Sequence, residues 1–477
     1  MITINRLFKL MVLTSLFNLN SFALTLDEYL NLVRQNNLSY QSFKLQKESA
    51  EGLINESELI FSPQIFANAN IGHDKKLSSP PMLIFDDTKT SNYSVGLAKQ
   101  FEFGLETKLY YQLGQTDFVG ATFSNGAPNA YWDASPKVEL KLPLLANGFG
   151  RAARANSEVI TQQNLSQKYA NQAQMDNLLV LSESAYWRLV AARESVSIQK
   201  QALSAAESIL EYVAKKEKMN LGDNADVLQA KALVENANLQ LLQAENEEKV
   251  AIRNFNKYLN IDLSAKVSKL ESYNYDLIQQ AEIPKNRPGD RFDIKAAESQ
   301  ALLSNASAKI QKEKNLATLD LYGNYALNGR NEALNEALQN TDQSQRDTAF
   351  IGVKFSMPLN FSANEKARLG AEQAMKSAEL NRKYKIYEQE QDWYNLTEKF
   401  EEAKKTLSLA LKMEEAQKNK LKNERQRLHQ GRTTTYQVLL FEQEYSQAQA
   451  AKIQAASIVL ALQSQTKLYQ ASSKGDN

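Results

Sequence analysis

Residues 210–241, LEYVAKKEKMNLGDNADVLQAKALVENANLQL, decide the fold of this chain. Gly222 is the only glycine between Arg151 and Glu282, and that range contains no proline. Both sides of the glycine are rich in Ala, Leu, Gln, Glu and Lys, which favour helices. The stretch therefore predicts two long helices that meet at a turn around Gly222. The first arm, Arg151 to Leu221, would be about 100 Å long at helical rise.

Apolar residues repeat every seven positions on both sides of this turn. Before the turn the repeating residues are Leu189, Val196, Leu203 and Leu210. After the turn they are Val227, Val234 and Leu241, flanked by Ala230, Ala237, Ala244 and Ala251. A seven-residue repeat predicts supercoiled helices, and the line of alanines allows close antiparallel packing.

The second half of the chain repeats this plan. From Asn364 to Lys474 proline is again absent, and Gly431 is the central glycine. Matching residues are Pro143 with Pro358, Tyr186 with Trp393, Gly222 with Gly431, and Val227 with Val438. The last three pairs are separated by 207, 209 and 211 positions, which predicts two extra residues on each side of Gly431. A tandem duplication is therefore predicted, with a longer turn and a further-projecting tip in copy two.

Segments before each helical stretch alternate apolar and polar residues with a period of two, as strands with one apolar face do. Residues 105–113 and 138–142 show this pattern in the first half, and residues 351–357 show it in the second. An additional hairpin is predicted from Tyr93–Phe103 and Gly104–Leu113. Such strands fit either a transmembrane barrel or a soluble sandwich. The fold class is α+β, with long α-helical coiled-coil hairpins and short antiparallel β-strands.

Stretches rich in Gly, Asn, Asp, Ser and Pro surround these strands. They cover residues 74–92, 116–136 and 328–346 and are predicted to be loops. Asp86-Asp87 lies in one of them and has no convergent partner for acid or calcium chemistry. Residues 148–153 fit a loose GxGxxA pattern, but the long helix predicted after them leaves no room for the second strand of a dinucleotide-binding unit.

The composition argues against several functions. Lys plus Arg (56) nearly equals Asp plus Glu (55), so no net field attracts nucleic acid. The chain has no cysteine, and its only histidines are His73 and His429. Few residues could therefore support thiol, metal or histidine chemistry. We predict no catalytic site, no cofactor and no metal, and we predict that the protein is not an enzyme.

The first residues predict a secretory signal peptide. Arg6 and Lys9 precede the apolar residues 10–17, and Ser21-Phe22-Ala23 places small residues before a cleavage site at Leu24. No later segment approaches the 18 apolar residues of a transmembrane helix. The possible locations of a protein exported without a helical anchor are the periplasm, the medium and the outer membrane.

The order of short motifs along the chain resembles the TolC-like outer-membrane efflux protein family. The motifs are residues 24–30 (LTLDEYL), 142–144 (LPL), 286–294 (NRPGDRFDI) and the two turns at Gly222 and Gly431. The implied domains are a signal peptide (1–23), repeat 1 (24–272), a linker (273–286), repeat 2 (287–470) and a C-terminal tail (471–477).

This resemblance implies a homotrimer in the outer membrane of a Gram-negative bacterium, with a long periplasmic portion. The strands would close into a shared transmembrane β-barrel in contact with outer-membrane lipid, and the helices would form a periplasmic tunnel. The duct would work with a periplasmic adaptor protein and an inner-membrane pump to export small molecules or proteins. The sequence does not choose between these cargoes, nor whether the hairpin of Tyr93–Leu113 widens the barrel or decorates a loop.

The resemblance also implies roles for residues at the two turns. Leu221, Gly222, Gln430 and Gly431 would form the tips on which adaptors dock. Asp226, Arg432 and Gln437 would lie at the tunnel entrance. Because Gln437 and Leu440 stand where family members carry carboxylates, copy two is not expected to supply an acidic ring. We hypothesise that Arg432 pairs with Asp226 of a neighbouring hairpin as a closing latch.

The arm that leads into the second turn is basic. Its cations are Lys418, Lys420, Lys422, Arg425, Arg427 and Arg432. In a trimer they would form a positive ring that favours anionic cargo or an acidic adaptor, or they would be the solvated surface of a coiled coil. Two other functional classes remain beside the duct. A periplasmic adaptor needs only one hairpin, and a structural coiled-coil scaffold needs no duplicated strands.

Overall fold

The computed structural model describes residues 23–76, 85–121, 123, 128–343 and 346–469. The predicted signal peptide, apart from Ala23, and the predicted tail (471–477) lie outside these residues. The α-helices are α1 (Leu26–Asn36), α2 (Leu38–Leu53), α3 (Glu56–Leu59), α4 (Arg151–Lys218), α5 (Asn224–Leu259), α6 (Tyr275–Gln280), α7 (Phe292–Lys314), α8 (Leu334–Gln343), α9 (Phe361–His429) and α10 (Thr435–Gln465). The β-strands are β1 (Gln64–Asp74), β2 (Asp87–Gln100), β3 (Glu106–Val119), β4 (Ala130–Pro143), β5 (Thr318–Leu327), β6 (Gly329–Asn331) and β7 (Asp347–Ser356).

The chain divides into two compact units that each take segments from both halves. Of the described residues, those within 23–47, 169–295 and 385–469 form the helical unit, and those within 48–168 and 296–384 form the sheet unit. Each predicted repeat therefore contributes to both units. The repeat and linker boundaries given above remain predictions.

Aromatic side chains form the centre of the helical unit. The Tyr29 ring stacks on Phe255, with ring centroids 4.2 Å apart, and lies 5.6 Å from Tyr186. The Tyr29 hydroxyl donates to the Phe255 carbonyl oxygen at 3.2 Å, so the buried phenol is satisfied. The predicted alanines Ala230, Ala237, Ala244 and Ala251 are all buried, which confirms the heptad face of α5.

The segment predicted to be a linker packs against α4. It contains the short helix α6, and Tyr273 and Ile278 from it are buried. The Tyr273 hydroxyl donates to the Trp187 carbonyl oxygen at 2.8 Å, and the Tyr275 hydroxyl donates to Glu194 at 2.7 Å. These contacts hold the connection between the two repeats in place.

The sheet unit contains one antiparallel sheet. Its strands lie in the order β1-β2-β3-β4-β5-β7, and β6 continues the pairing of β5 along β4. The predicted strands at 105–113, 138–142 and 351–357 coincide largely with β3, β4 and β7. The predicted hairpin is also confirmed, because Leu97 of β2 is paired with Leu109 of β3.

The three predicted loops are partly wrong. Residues 87–92 belong to β2, residues 116–119 to β3 and residues 130–136 to β4. The range 328–346 contains β6 and the helix α8. Strands β1 and β5 were not predicted. Asn, Asp and Gly are poor strand formers on average, but a strand with one polar face accepts them at some positions.

The two faces of this sheet differ in chemistry. One face carries apolar side chains on neighbouring strands: Ile65 and Ile71, Val95 and Leu97, Leu109, Val138 and Leu140, Tyr325, and Ile351, Val353 and Phe355. All of these are exposed, and Ile65 and Ile351 are 80% and 77% exposed. The opposite face carries polar contacts such as Tyr110 Oη donating to Glu139 at 2.6 Å and Lys137 Nζ donating to Gln112 at 2.8 Å.

The exit from β4 into α4 depends on glycine. Gly150 has φ +76°, and a Cβ atom there would lie 2.0 Å from the Glu102 carbonyl oxygen. Arg151 then donates to Glu313 at 2.8 Å as α4 begins. The next element after α4 is the helix α5, so residues 148–153 form no dinucleotide-binding unit. Among the described helices, none combines the length and the apolar character needed to cross a membrane.

Candidate functional site

The two hairpin turns of the helical unit end their first helices in the same way. Asn220 has φ +53° and the Leu221 N–H donates to the Lys216 carbonyl oxygen at 2.9 Å. Gly431 has φ +70° and the Arg432 N–H donates to the Arg427 carbonyl oxygen at 2.9 Å. This is the left-handed helix ending of a Schellman motif, in which one residue past the helix adopts a positive φ. Asn220, not Gly222, therefore corresponds to Gly431.

The second helix of each hairpin also begins in the same way. Asp223 caps α5, where its side chain accepts the Ala225 N–H at 3.0 Å. Thr434 caps α10, where its hydroxyl accepts the Gln437 N–H at 3.3 Å. In both copies the cap lies three positions after the left-handed residue. The turns are equal in length.

The predicted longer turn of copy two is therefore wrong. The prediction aligned the two glycines, but Asn can also adopt the left-handed conformation at a helix end, and Asn220 occupies the equivalent position. With this alignment, 211 positions separate equivalent residues throughout the tips. The same separation relates the buried residues Leu189, Ala192 and Val196 of α4 to Phe400, Ala403 and Leu407 of α9.

The predicted docking residues lie on these turns. Leu221 is 72% exposed, and Gly222, Gln430 and Gly431 are also exposed. The docking role of these four residues remains a prediction.

The predicted entrance residues lie in or next to the same turns. Asp226 and Gln437 are half-buried in the first turns of α5 and α10, and Arg432 is exposed. Within the described part of this chain, neither Asp226 nor Arg432 forms an ion pair. The hypothesised latch between neighbouring copies remains a prediction.

Half of the predicted basic ring is paired inside the chain. Lys420 Nζ donates to Glu444 at 2.6 Å and lies 3.6 Å from the centroid of the Phe441 ring. Arg425 Nε donates to Glu442 at 2.6 Å. These acids lie on α10, which runs antiparallel to the end of α9 and brings carboxylates opposite the cations.

Arg427 is paired with a buried carboxylate that the sequence analysis did not single out. It donates to Glu424 at 3.1 Å, and the Thr433 hydroxyl donates to the other oxygen of the same carboxylate. Glu424 is only 6% exposed. The heptad position of Glu424, seven residues before Gly431, is the signal that could have predicted its burial.

The remaining cations, Lys418, Lys422 and Arg432, are exposed and form no ion pair among the residues that the structure describes. The tip of copy two therefore carries fewer free positive charges than its sequence suggests. Burial raises the pKa of the Glu442 carboxyl, and the charge of Arg425 lowers it only partly.

A groove separates the first hairpin from the second near these turns. Its volume is about 890 Å³, and its walls are α4 on one side and α9 and α10 on the other. Ser204, Ala205 and Ser208 of α4 face Lys418 and Lys422 of α9 across it. At the end of the groove nearest the turns, the ring centroids of Tyr212 and His429 lie 5.9 Å apart. The groove combines small side chains with two unpaired cations.

Comparison with known proteins gives matches by structure. No protein-family model matches the chain, and no curated protein matches it by sequence. The CmeC outer membrane channel of Campylobacter jejuni is 15% identical, with a TM-score of 0.61, and the match covers 93% of this chain and 85% of that one. The outer membrane protein VceC of Vibrio cholerae is 14% identical, with a TM-score of 0.62 and coverages of 93% and 94%. The chain has the fold of TolC-like outer-membrane channels.

A third match extends this result. The open state of the MtrE outer membrane channel of Neisseria gonorrhoeae is 18% identical to the chain, with a TM-score of 0.59, and the match covers 94% of this chain and 88% of that one. The TolC-like fold thus accounts for both the helical unit and the sheet unit. The resemblance predicted from the motifs is confirmed at the level of the fold.

Proposed function

We propose that the protein is an outer-membrane exit duct of a Gram-negative bacterium. Three copies would close their sheets into a transmembrane barrel and continue it with a periplasmic tunnel of helices. The duct would export small molecules or proteins delivered by an inner-membrane pump and a periplasmic adaptor, and it would catalyse no reaction. The TolC-like fold of nearly the whole chain supports this proposal.

The observation that carries the proposal is the sheet with one exposed apolar face and one polar face. In water such a face would be costly, since exposed residues such as Ile65, Ile351 and Phe355 would remain hydrated. In a membrane barrel, lipid covers the apolar face and water fills the polar side. A periplasmic adaptor or a structural scaffold would give no reason for this face.

A pair of substitutions on β7 tests the membrane location. Val353 lies on the apolar face and Lys354 on the polar face of the same strand. Val353→Arg should reduce the amount of trimer extracted from outer membranes, because a cation facing lipid costs about 2–4 kcal/mol per chain. Lys354→Arg should leave it unchanged. Equal trimer yields for both variants, or purification without detergent, would contradict the proposal.

The exposed turns are proposed as the docking surface for the adaptor. Leu221 and Gly222 supply it in copy one, and Gln430 and Gly431 supply it in copy two. Because the chain has no cysteine, Leu221→Cys and Arg432→Cys each introduce a unique reactive thiol. Crosslinking in whole cells should join both variants to the same periplasmic protein. A cysteine at an exposed site far from the turns, such as Leu380→Cys, is the control.

The tunnel entrance is proposed to lie at Asp226, Arg432 and Gln437. The free cations at the entrance would be Lys418, Lys422 and Arg432, with Lys420, Arg425 and Arg427 held by acids. If Arg432 pairs with Asp226 of a neighbouring copy, Arg432→Ala should raise single-channel conductance and antibiotic leakage. Unchanged conductance and leakage would remove the latch from the proposal and leave the duct itself in place.

A further inference from the structure

The β2–β3 hairpin lies inside the sheet rather than beside it. Strand β1 pairs with β2 from Gln64 to Asp74, and β3 pairs with β4 from Glu106 to Asp117. The hairpin is therefore bonded on both sides along nearly its whole length. Removing it would separate β1 from the rest of the sheet.

On the polar face, Tyr110 links all four strands from β1 to β4. The Tyr110 ring of β3 lies over Gly96 of β2, where a Cβ atom would be 2.3 Å from the Tyr110 Cβ. The same ring lies 5.8 Å from Phe66 of β1, and its hydroxyl donates to Glu139 of β4 at 2.6 Å. A bare glycine between two aromatic side chains is the arrangement that lets a ring cover a strand. The hairpin is thus packed as well as paired between β1 and β4.

The two outer strands of the sheet, β1 and β7, have directions and free edges that would allow them to pair between neighbouring copies. Among the described residues, β1 pairs only with β2 and β7 pairs only with β5. The strands alternate in direction, so β7 runs antiparallel to β1 and an edge-to-edge contact between copies would continue the antiparallel pattern. Both edges carry highly exposed apolar side chains, Ile71 on β1 and Ile351 on β7, each 77% exposed. Open apolar edges of this kind recruit another strand.

We propose that the β2–β3 hairpin is part of the channel wall, and that β1 of one copy pairs with β7 of the next. This inference rests on the proposed trimeric duct. Three sheets with six strands side by side would then form a barrel of about 18 strands. With a strand spacing of about 4.8 Å and a tilt of about 40°, the wall is about 35 Å across, against about 24 Å for a wall without the hairpin.

Barrels of this strand number enclose an aqueous channel. The polar face of the hairpin is consistent with such a lumen, because it contributes Ser94, Lys108, Tyr110 and Gln112 to it. Lys108 lies 3.9 Å from Glu139, so the charges that the hairpin adds are balanced locally. The outer part of the duct would therefore be wide, polar and nearly neutral.

The width can be measured with a chain that lacks residues 87–119. In this variant β1 and β4, which are antiparallel, can pair directly. Asn68→Cys places a unique thiol on the exposed polar face of β1 in both chains. Intact cells would be treated with maleimide-polyethylene glycols of increasing size, normalised to labelling by a small maleimide. The full chain should admit reagents about 1.5 times larger in radius, as the ratio of diameters predicts. Equal size limits would overturn the proposal.

A second measurement uses only the full chain, in case the shortened chain does not fold. Ile65→Cys and Phe355→Cys lie at the same end of β1 and β7, and together they should give disulfide-linked trimers. Val95→Cys on the apolar face of the hairpin should resist a water-soluble maleimide in membranes, whereas Ser94→Cys on the polar face should react. Reaction at Val95→Cys with trimers still present would overturn the wall inference alone. The absence of any linked trimer would contradict the proposed duct itself.

Discussion

The two hairpin tips have the same backbone and different chemistry. Both first helices end at a left-handed residue, Asn220 or Gly431, and both following helices are capped three positions later, by Asp223 or Thr434. Copy one has Leu221 and Asp226 at the positions where copy two has Arg432 and Gln437. The duplication has therefore kept the geometry of the turn while the charges around it have diverged. Differences in function between the tips must come from side chains.

The strongest difference lies inside the hairpins. Seven positions before the left-handed residue, copy one has Val213 and copy two has Glu424, and both side chains are buried. The valine packs with Val227 and Ala230. The carboxylate of Glu424 is instead held by Thr433 from the turn and by Arg427 from its own helix. Copy two thus ties its turn to α9 through a buried polar network, and the described residues of copy one form no equivalent network.

Replacing the Glu424 carboxylate should cause the largest difference in stability between the two turns. Glu424→Ala removes the acceptor of two hydrogen bonds and leaves the Thr433 hydroxyl unsatisfied, at a cost of about 1–3 kcal/mol. Hydrogen exchange of amides 425–435 should accelerate accordingly, while amides 214–224 of copy one should not change. Glu424→Gln keeps an acceptor and should lose less. Equal exchange in Glu424→Ala and the native chain would show that the network does not hold the turn.

The left-handed residues offer the next test. Gly431→Ala should destabilise the second turn by about 1–2 kcal/mol, because a Cβ atom is disfavoured at positive φ even where the space around it is open. Gly222 lies outside that region of φ, so Gly222→Ala should cost less than Gly431→Ala. Local hydrogen exchange at each turn measures both. A larger effect at Gly222, where a Cβ atom would lie 3.2 Å from the Lys216 Cβ, would show that side-chain contact outweighs the positive φ of Gly431 at these turns.

The paired and unpaired cations of copy two should differ in their contribution to stability, which is the third test. Arg425→Ala leaves Glu442, which is largely buried, without its partner, and we expect a loss of about 1 kcal/mol after allowing for the half-exposed guanidinium. Lys418→Ala, at an exposed position, should change stability by less than about 0.5 kcal/mol. Thermal unfolding of the purified protein would compare the two. Similar losses would mean that the Arg425–Glu442 pair contributes nothing measurable.

The sequence predicted the long helices better than the sheet because helix-forming composition and heptads are local signals. The absence of proline and the alanine line around Ala237 were sufficient for α5. Strand β1 was missed because its pattern, with Asn68 and Asn70 on one face, becomes meaningful only beside β2. The pairing of Arg425 with Glu442 depends in the same way on two helices running antiparallel, which spacing along one helix does not reveal. The left-handed Asn220 could have been predicted, since asparagine is the usual alternative to glycine at a helix end.

The smallest expected effect concerns pH and again contrasts equivalent positions. Burial raises the pKa of Glu442 in the folded chain, and Arg425 offsets only part of this change. A carboxyl with a raised folded pKa contributes stability below its unfolded pKa, about 4.5, and loses that contribution as the pH rises through the folded value. The stability of the native chain relative to Glu442→Gln should therefore fall as the pH is raised from about 4 through this window.

Lys231, which is 211 positions earlier in copy one, is the matched control, and Lys231→Gln should give a profile parallel to the native one over the same range. A Glu442→Gln profile that also runs parallel to the native chain would show that the folded and unfolded pKa values of Glu442 are equal, and the electrostatic difference between the tips would then be confined to the Glu424 network.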